Sequence, residues 1–244
     1  MLRSGAVDAL TFSRRLAALP ALAMRQALVR ETLAALPVEA AARLCGELVR
    51  RGRDGAPYDL GLIALSAVLD AGELGYDRHG ELYAEARRAG DEPLARLLLS
   101  AQKPPPGAPS AAPIPGQSEL TLGQRKSLAR GRRREILDRL LRDPDASVIQ
   151  ILLGNPRVTE ADVVRLAARR PTTAAAQRAI FRCERFIARY QVKRALALNP
   201  YTPSDLAARL VPMLVRADLR AIADDAQLAD PVRQAARELV KPLR

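Results

Sequence analysis

Arg178, Arg182, Arg185 and Arg189 stand four, three and four residues apart in TTAAAQRAIFRCERFIARYQVKR, residues 172–194. If this stretch is one α-helix turning about 100° per residue, the four guanidiniums share a narrow stripe that Lys193 continues. Ile180, Cys183, Phe186, Ile187 and Tyr190 take the other side, and Glu184 is the only acid. Like charges at helical spacing repel. A stripe of them without interleaved acid predicts an anionic partner, or acids supplied by a neighbouring helix.

A second cluster, RKSLARGRRR, packs Arg125, Lys126, Arg130, Arg132, Arg133 and Arg134 into ten residues. Guanidinium forks hold carboxylate and phosphate oxygens in pairs. Both clusters are therefore candidate contacts for an acidic protein partner, with a nucleic-acid phosphate backbone as the alternative. Tyr201, in the turn NPYTP, is the one aromatic near these stretches suited to base stacking.

Other chemistry is poorly served. There is no Gly-rich phosphate loop, GxSxG or HExxH motif, and no carboxylate pair beside an evident base. His79, the only histidine, lies in the polar stretch YDRHG and reads as a surface residue. Cys45 and Cys183 are far apart and match no metal-ligand or redox spacing. Cys183 reads as a buried small hydrophobe. The expectation is a non-enzymatic protein with no cofactor, no metal and no evident small-molecule substrate. Two unpaired cysteines fit a reducing cytoplasm. No apolar run approaches the roughly 18–20 residues needed to span a bilayer, and the N-terminus lacks a signal-peptide h-region.

The elements that would position these charges are helical. Hydrophobic residues are 48% of the 244, but the apolar mass is Ala, Leu and Val, aromatics are 3% and Trp is absent. That mixture favours close helix packing over sheets. The net charge of +12 is uneven: residues 1–102 hold 13 Lys and Arg against 13 Asp and Glu, whereas 118–244 hold 25 against 14. Arg outnumbers Lys 35 to 4, as a GC-rich genome would produce. Coding bias explains the choice of Arg over Lys but not an excess confined to one part.

KPPPGAPSAAPIPGQS, residues 103–118, has no periodicity and reads as a semi-extended linker. Three domains of sequence follow: a neutral helical part over 1–102, the linker over 103–118, and a basic part over 119–244. In the first, VEAAARLCGELVRRG places Val38, Ala41, Leu44, Cys45 and Leu48 on one face, with Gly52 suited to a left-handed stop. YDLGLIALSAVLDAG repeats the pattern with Gly72 as its stop, and two short helices follow.

In the basic part, VIQILLGNPRVTEADVVRL, residues 148–166, is echoed by VKRALALNPYTPSDLAARL, residues 192–210. At an offset of 44, Val148/Val192, Leu152/Leu196, Asn155/Asn199 and Pro156/Pro200 coincide. Asn tolerates the left-handed conformation that closes a helix, and Pro cannot continue one. Thr159 with Asp162, and Thr202 with Asp205, then read as capping boxes aligned at 43, as though one residue were lost, with Pro203 at the first helical position. DPVRQAARELVKP, residues 230–242, reads as a weaker third copy. Units of about 40 residues that recur like this predict an α-solenoid.

DPDASVIQILLGNPRVTEADV and VKRALALNPYTPSDLAARL resemble the leucine-rich repeat variant, a HEAT-like helical unit, over about residues 119–244. The spacing here is longer than in that family, and the helix expected over about 172–190 is additional. The iron–sulfur segment of some members finds no counterpart in a chain with two cysteines. The expected fold is all-α, an N-terminal helical bundle plus the C-terminal HEAT-like α-solenoid that the resemblance implies, acting as a scaffold or adaptor for a protein partner. A HEAT-like DNA-repair glycosylase would be the enzymatic exception, yet its aromatic-lined recognition surface is hard to build without Trp.

Overall fold

A computed structural model describes residues 8–99 and 120–241. Sixteen α-helices and two short 3-10 turns occur among the described residues, and no strand. The Pro-rich segment 103–118 lies outside them. No helix is long and apolar enough to cross a membrane among the described residues.

The chain forms two compact units, Gln102–Pro203 and a unit joining Met1–Ala101 to Ser204–Arg244. The C-terminal block expected to complete the basic domain thus belongs with the N-terminal helices, and the basic unit is inserted in chain order between the halves of the other.

The joined unit holds α1 (Ala9–Ala17), α2 (Leu22–Ala35), α3 (Val38–Arg51), α4 (Tyr58–Ala71), α5 (Tyr76–Arg88) and α6 (Glu92–Leu98). α4 is the core helix. It is apolar on nearly every face, and Leu62, Ile63, Ala64, Leu65 and Val68 are all buried against α1, α2 and α3. Gly61 permits that closeness, since a Cβ there would lie 2.9 Å from Ser13 Oγ. Gly72 ends α4 at φ 68°, the left-handed stop its sequence predicts. Gly52 is not such a stop. It has φ −55° and opens a 3-10 turn, Gly52–Asp54, and a Cβ there would meet Leu62 Cδ2 at 2.5 Å. His79 lies within α5, half-buried, its Nε2 at the carbonyl of Leu98, so it is not a residue of a polar surface turn.

The inserted unit holds α7 (Leu122–Ala129), α8 (Arg134–Leu140), α9 (Ala146–Gly154), α10 (Glu160–Ala168), α11 (Ala174–Phe181), α12 (Glu184–Ile187) and α13 (Tyr190–Ala197). α7 packs on α9, α9 on α11 and α10 on α13. Val148, Ile149, Leu152, Val163, Ile180, Phe181, Val192 and Leu196 form the core.

The C-terminal half of the joined unit holds α14 (Ser204–Leu210), the 3-10 turn Val211–Met213, α15 (Arg216–Asp224) and α16 (Asp230–Val240). α14 and α16 pack on α6, burying Leu206, Leu210, Val232 and Ala236. Arg209 on α14 is 4% exposed and lies 3.8 Å from the Asp70 carboxylate on α4 and 3.4 Å from that of Asp205. An apolar stripe and a buried ion pair therefore direct the C-terminal helices to the N-terminal part.

The repeated phrase has a repeated structure. Asn155 follows α9 in extended backbone (φ −75°, ψ 126°), not the expected left-handed one, and closes the helix through its side chain: the amide donates to the carbonyls of Ala129 (2.7 Å) and Gly131 (2.8 Å), and Oδ1 accepts from the N–H of Arg157. Asn199 donates to the carbonyls of Ala167 (2.7 Å) and Arg169 (2.8 Å) and accepts from the N–H of Tyr201. Each asparagine satisfies carbonyls left open at an earlier helix end. The next helix starts at Glu160 in one case and Ser204 in the other, so the offset of 44 runs on unbroken. The capping box Thr159/Asp162 forms. Its expected counterpart does not: Thr202 lies two residues before Ser204 and its buried hydroxyl has no hydrogen-bond partner. Pro203 precedes the helix rather than opening it.

A partial likeness of the corner lies at Asp225, 26 residues after Asn199 rather than 44, and before the sequence echo at 230–242. Asp225 Oδ1 accepts from the N–H of Gln227, and α16 begins five residues after it, as α10 does after Asn155. A carboxylate cannot donate, so this corner lacks the carbonyl clamp.

Candidate anion-binding surface

The stripe of Arg178, Arg182, Arg185, Arg189 and Lys193 requires one straight helix, and the chain bends twice. α11 ends at Phe181, Cys183 is extended (φ −81°, ψ 99°) before α12, and Arg189 is extended (φ −74°, ψ 128°) before α13. On a straight helix Phe181 and Phe186 would project about 140° apart. With the bends, Phe181, Phe186 and Ile187 are all buried, so core packing overrides helix propensity.

The five residues meet different fates. Lys193 is 3% exposed and belongs to the interior. Arg178 and Arg182 each have an interaction within the chain. Arg189 Nε lies 3.8 Å from the Glu160 carboxylate. Arg185 donates to the backbone carbonyls of Asn155 and Val158, both at 2.9 Å, and its guanidinium stacks 4.6 Å from the Phe186 ring centroid. It closes the first asparagine corner, where the negative end of α9 favours a cation.

The RKSLARGRRR cluster is also divided. Arg125 is bound to both oxygens of buried Asp143, at 2.5 and 2.6 Å. Arg134 makes bidentate pairs with Asp138 and with Asp162, whose side chain is 1% exposed. Arg165 is a second cation on this group, bonded to Asp162. The Arg134 guanidinium, against the cost of burial, holds the Asp162 carboxyl well below the usual carboxylate range, and the Thr159 N–H and Arg165 add to it. These cations are neutralised within the chain. Arg130 spends one donor on the carbonyl of Lys126, at 3.1 Å. Arg132 and Arg133 are exposed, and their guanidiniums have no hydrogen bond or ion pair among the described residues.

One part of each cluster does converge. Asn155 binds the carbonyls of Ala129 and Gly131, which flank Arg130 and precede Arg132, while Arg185 binds the carbonyls of Asn155 and Val158. These bonds bring the backbones bearing Arg130, Arg132, Arg133 and Arg157 to the Arg185 guanidinium. All five arginines are exposed, and none is paired with a carboxylate among the described residues. Arg157 is absent from both expected clusters. Its only sequence signal is its place directly after Asn155-Pro156.

The charge around this corner cannot be balanced internally. Residues 120–203 contain 18 Lys and Arg against 7 Asp and Glu, so at least eleven cations remain uncompensated in any pairing. The joined unit carries a net charge of only +1. A groove of about 430 Å³ in that unit, lined by Arg43, Arg50, Glu85, Asp91 and Glu238 among others, sets opposite charges face to face, and Arg50 is paired with Asp91 at 2.6 Å.

No cluster of three or more His, Cys, Asp or Glu is placed to hold a metal ion among the described residues. No family model, no curated protein and no solved structure matches the chain.

Proposed function

We propose that the protein is a non-enzymatic helical-repeat scaffold, built on HEAT-like units similar to the leucine-rich repeat variant, whose inserted basic unit holds a polyanionic partner. The carrying observation is charge segregation: residues 120–203 hold +11 of the chain's +12 and expose a corner of five arginines, none of them paired with a carboxylate among the described residues. Self-repulsion of that size destabilises a compact unit of about 80 residues unless an anion relieves it. The matching clamps of Asn155 and Asn199, 44 residues apart, support the repeat reading, since each ties one helix end to an earlier one through the same bonds.

The test is retention of the full chain on immobilised polyanions, with elution by salt. Retention at 50 mM salt that is lost in Arg132→Glu/Arg133→Glu/Arg157→Glu supports the reading. Passage of the wild-type chain through heparin, polyglutamate and duplex nucleic acid alike would refute it.

A further inference from the structure

The corner's polyanion can be narrowed by what surrounds the arginines. A protein–protein interface draws most of its energy from a few large apolar or aromatic anchors at its centre, with charges at the rim. The described large hydrophobics exposed in the inserted unit are Leu120 and Leu122, at the start of α7. The corner is at the other end of α7, about 10 Å away along an eight-residue helix. Single strands are held largely by stacking of bases on aromatic rings. Phe186, the ring under the Arg185 guanidinium, is 3% exposed and covered by it. The corner is therefore charge without anchor and without stacking platform. Phosphates on a duplex backbone need neither, because released counterions and guanidinium forks supply the affinity.

Donor geometry agrees. Arg185 is committed to backbone carbonyls and Arg130 in part to Lys126. Arg132, Arg133 and Arg157 keep their full forks, and they branch from two chain segments joined through Asn155. Arginines rising from neighbouring segments match anions strung along a backbone better than one isolated anion.

Resting on the polyanion reading above, we infer that the Asn155 corner binds the sugar–phosphate backbone of double-stranded nucleic acid, without reading its sequence, through Arg132, Arg133 and Arg157, with Arg130 at the edge. Duplex DNA and duplex RNA share this chemistry.

The experiment is a fluorescence-anisotropy titration of the full chain against four probes from 50 to 200 mM salt. The probes are a 20-base-pair DNA duplex of arbitrary sequence, the same duplex as RNA, the matching single strand, and polyglutamate of equal charge. With four phosphates neutralised, duplex affinity should fall about 10²-fold over that range. It should be insensitive to base sequence, and each Arg→Glu change should flatten the salt slope by about one. The three-site Arg→Gln variant removes charge without adding acid and serves as a second variant should the Glu form misfold. Circular dichroism confirms folding of both.

Tighter binding of either duplex than of polyglutamate, abolished in the variants, is the expected result, and the DNA and RNA arms tell the two sources apart. Polyglutamate or the single strand bound as tightly as duplex overturns the duplex assignment and leaves the scaffold reading standing. Duplex binding that the variants keep in full overturns the corner as its site. Binding to no probe at 50 mM salt overturns the inference and the scaffold reading together.

Discussion

Asn155 and Asn199, 44 residues apart, make the same three hydrogen bonds: two donated to carbonyls at the end of an earlier helix, and one accepted from the N–H two residues on. Both side chains are buried, at 4% and 2% exposure. The side-chain amide is required because it alone offers both donors and an acceptor.

Asn155→Ala strands the carbonyls of Ala129 and Gly131, and a lost partner of a buried polar group costs about 1–3 kcal/mol. A destabilisation of about 2–4 kcal/mol is expected, with a similar value for Asn199→Ala. Asn155→Asp should cost more than the alanine, since it sets acceptor against acceptor. Urea unfolding of the three variants checks this. Alanine variants within 0.5 kcal/mol of the parent would contradict the clamp.

Much of this was legible and part was not, for physical reasons. Asn-Pro marks a helix end by local chemistry, as Gly72 and the Thr159/Asp162 box do, and each was readable from its own residues. The expected helix over 172–190 rested on spacing alone, and local spacing cannot foresee that Phe181 and Phe186 both need burial. Arg157 carries no local signal of its own, because its importance comes from Asn155 reaching Gly131, a contact across 24 residues. The membership of α14–α16 was hidden for the same reason: Asp70 and Arg209 are 139 residues apart in sequence.

Structural and partner-facing arginines should separate in stability. Arg185→Ala frees the carbonyls of Asn155 and Val158 at a cost of about 1–2 kcal/mol. Arg185→Lys should recover only part of it, because one ammonium lacks the fork. Arg132→Ala and Arg157→Ala remove nothing bonded within the chain and should stay within about 0.5 kcal/mol of the parent. Thermal melts at 150 mM salt make the comparison. Equal losses at all three sites would show that the exposed arginines also hold the unit together.

Asp162 gives the inserted unit a defined acid sensitivity. Its carboxyl is held low in the folded chain and titrates normally when unfolded, so the unfolded state takes up the proton first as pH falls. The stabilisation is complete above the usual carboxylate range, about pH 5, and drains away below it. Asp162→Asn should cost about 2–3 kcal/mol at pH 7, where charge-assisted bonds to Arg134 and Arg165 are lost. The gap from wild type should narrow toward pH 3. A gap constant from pH 7 to pH 3 would assign the carboxylate no ionic role.

The two thiols should differ in reactivity. Cys45 is fully buried in α3, and burial pushes its thiol up to about 12. Cys183 is half-buried and is also shifted upward, chiefly by burial. A thiol reagent at pH 8 should modify Cys183 slowly and leave Cys45 untouched until the joined unit unfolds. Mass spectrometry of the labelled chain over a urea series reads both sites. Labelling of Cys45 at the same rate as Cys183 in native buffer would contradict the packing of α3.

The joined unit should not fold from its N-terminal half alone. α6 buries Leu94, Leu97 and Leu98, and α14 and α16 form part of its cover. The Asp70 carboxylate, 1% exposed, faces Arg209 from the C-terminal half. Residues 1–102 expressed alone would open that apolar surface to water and lose the charge partner. A fragment joining 1–101 to 204–244 through a short Gly/Ser bridge keeps both. The first should melt broadly and bind a hydrophobic dye, and the second should melt cooperatively. Arg209→Ala in the full chain leaves Asp70 and Asp205 without their buried cation, at a cost of about 3–5 kcal/mol. Should 1–102 alone melt cooperatively with a dispersed amide spectrum, the C-terminal helices would be an accessory to that unit and not half of its core.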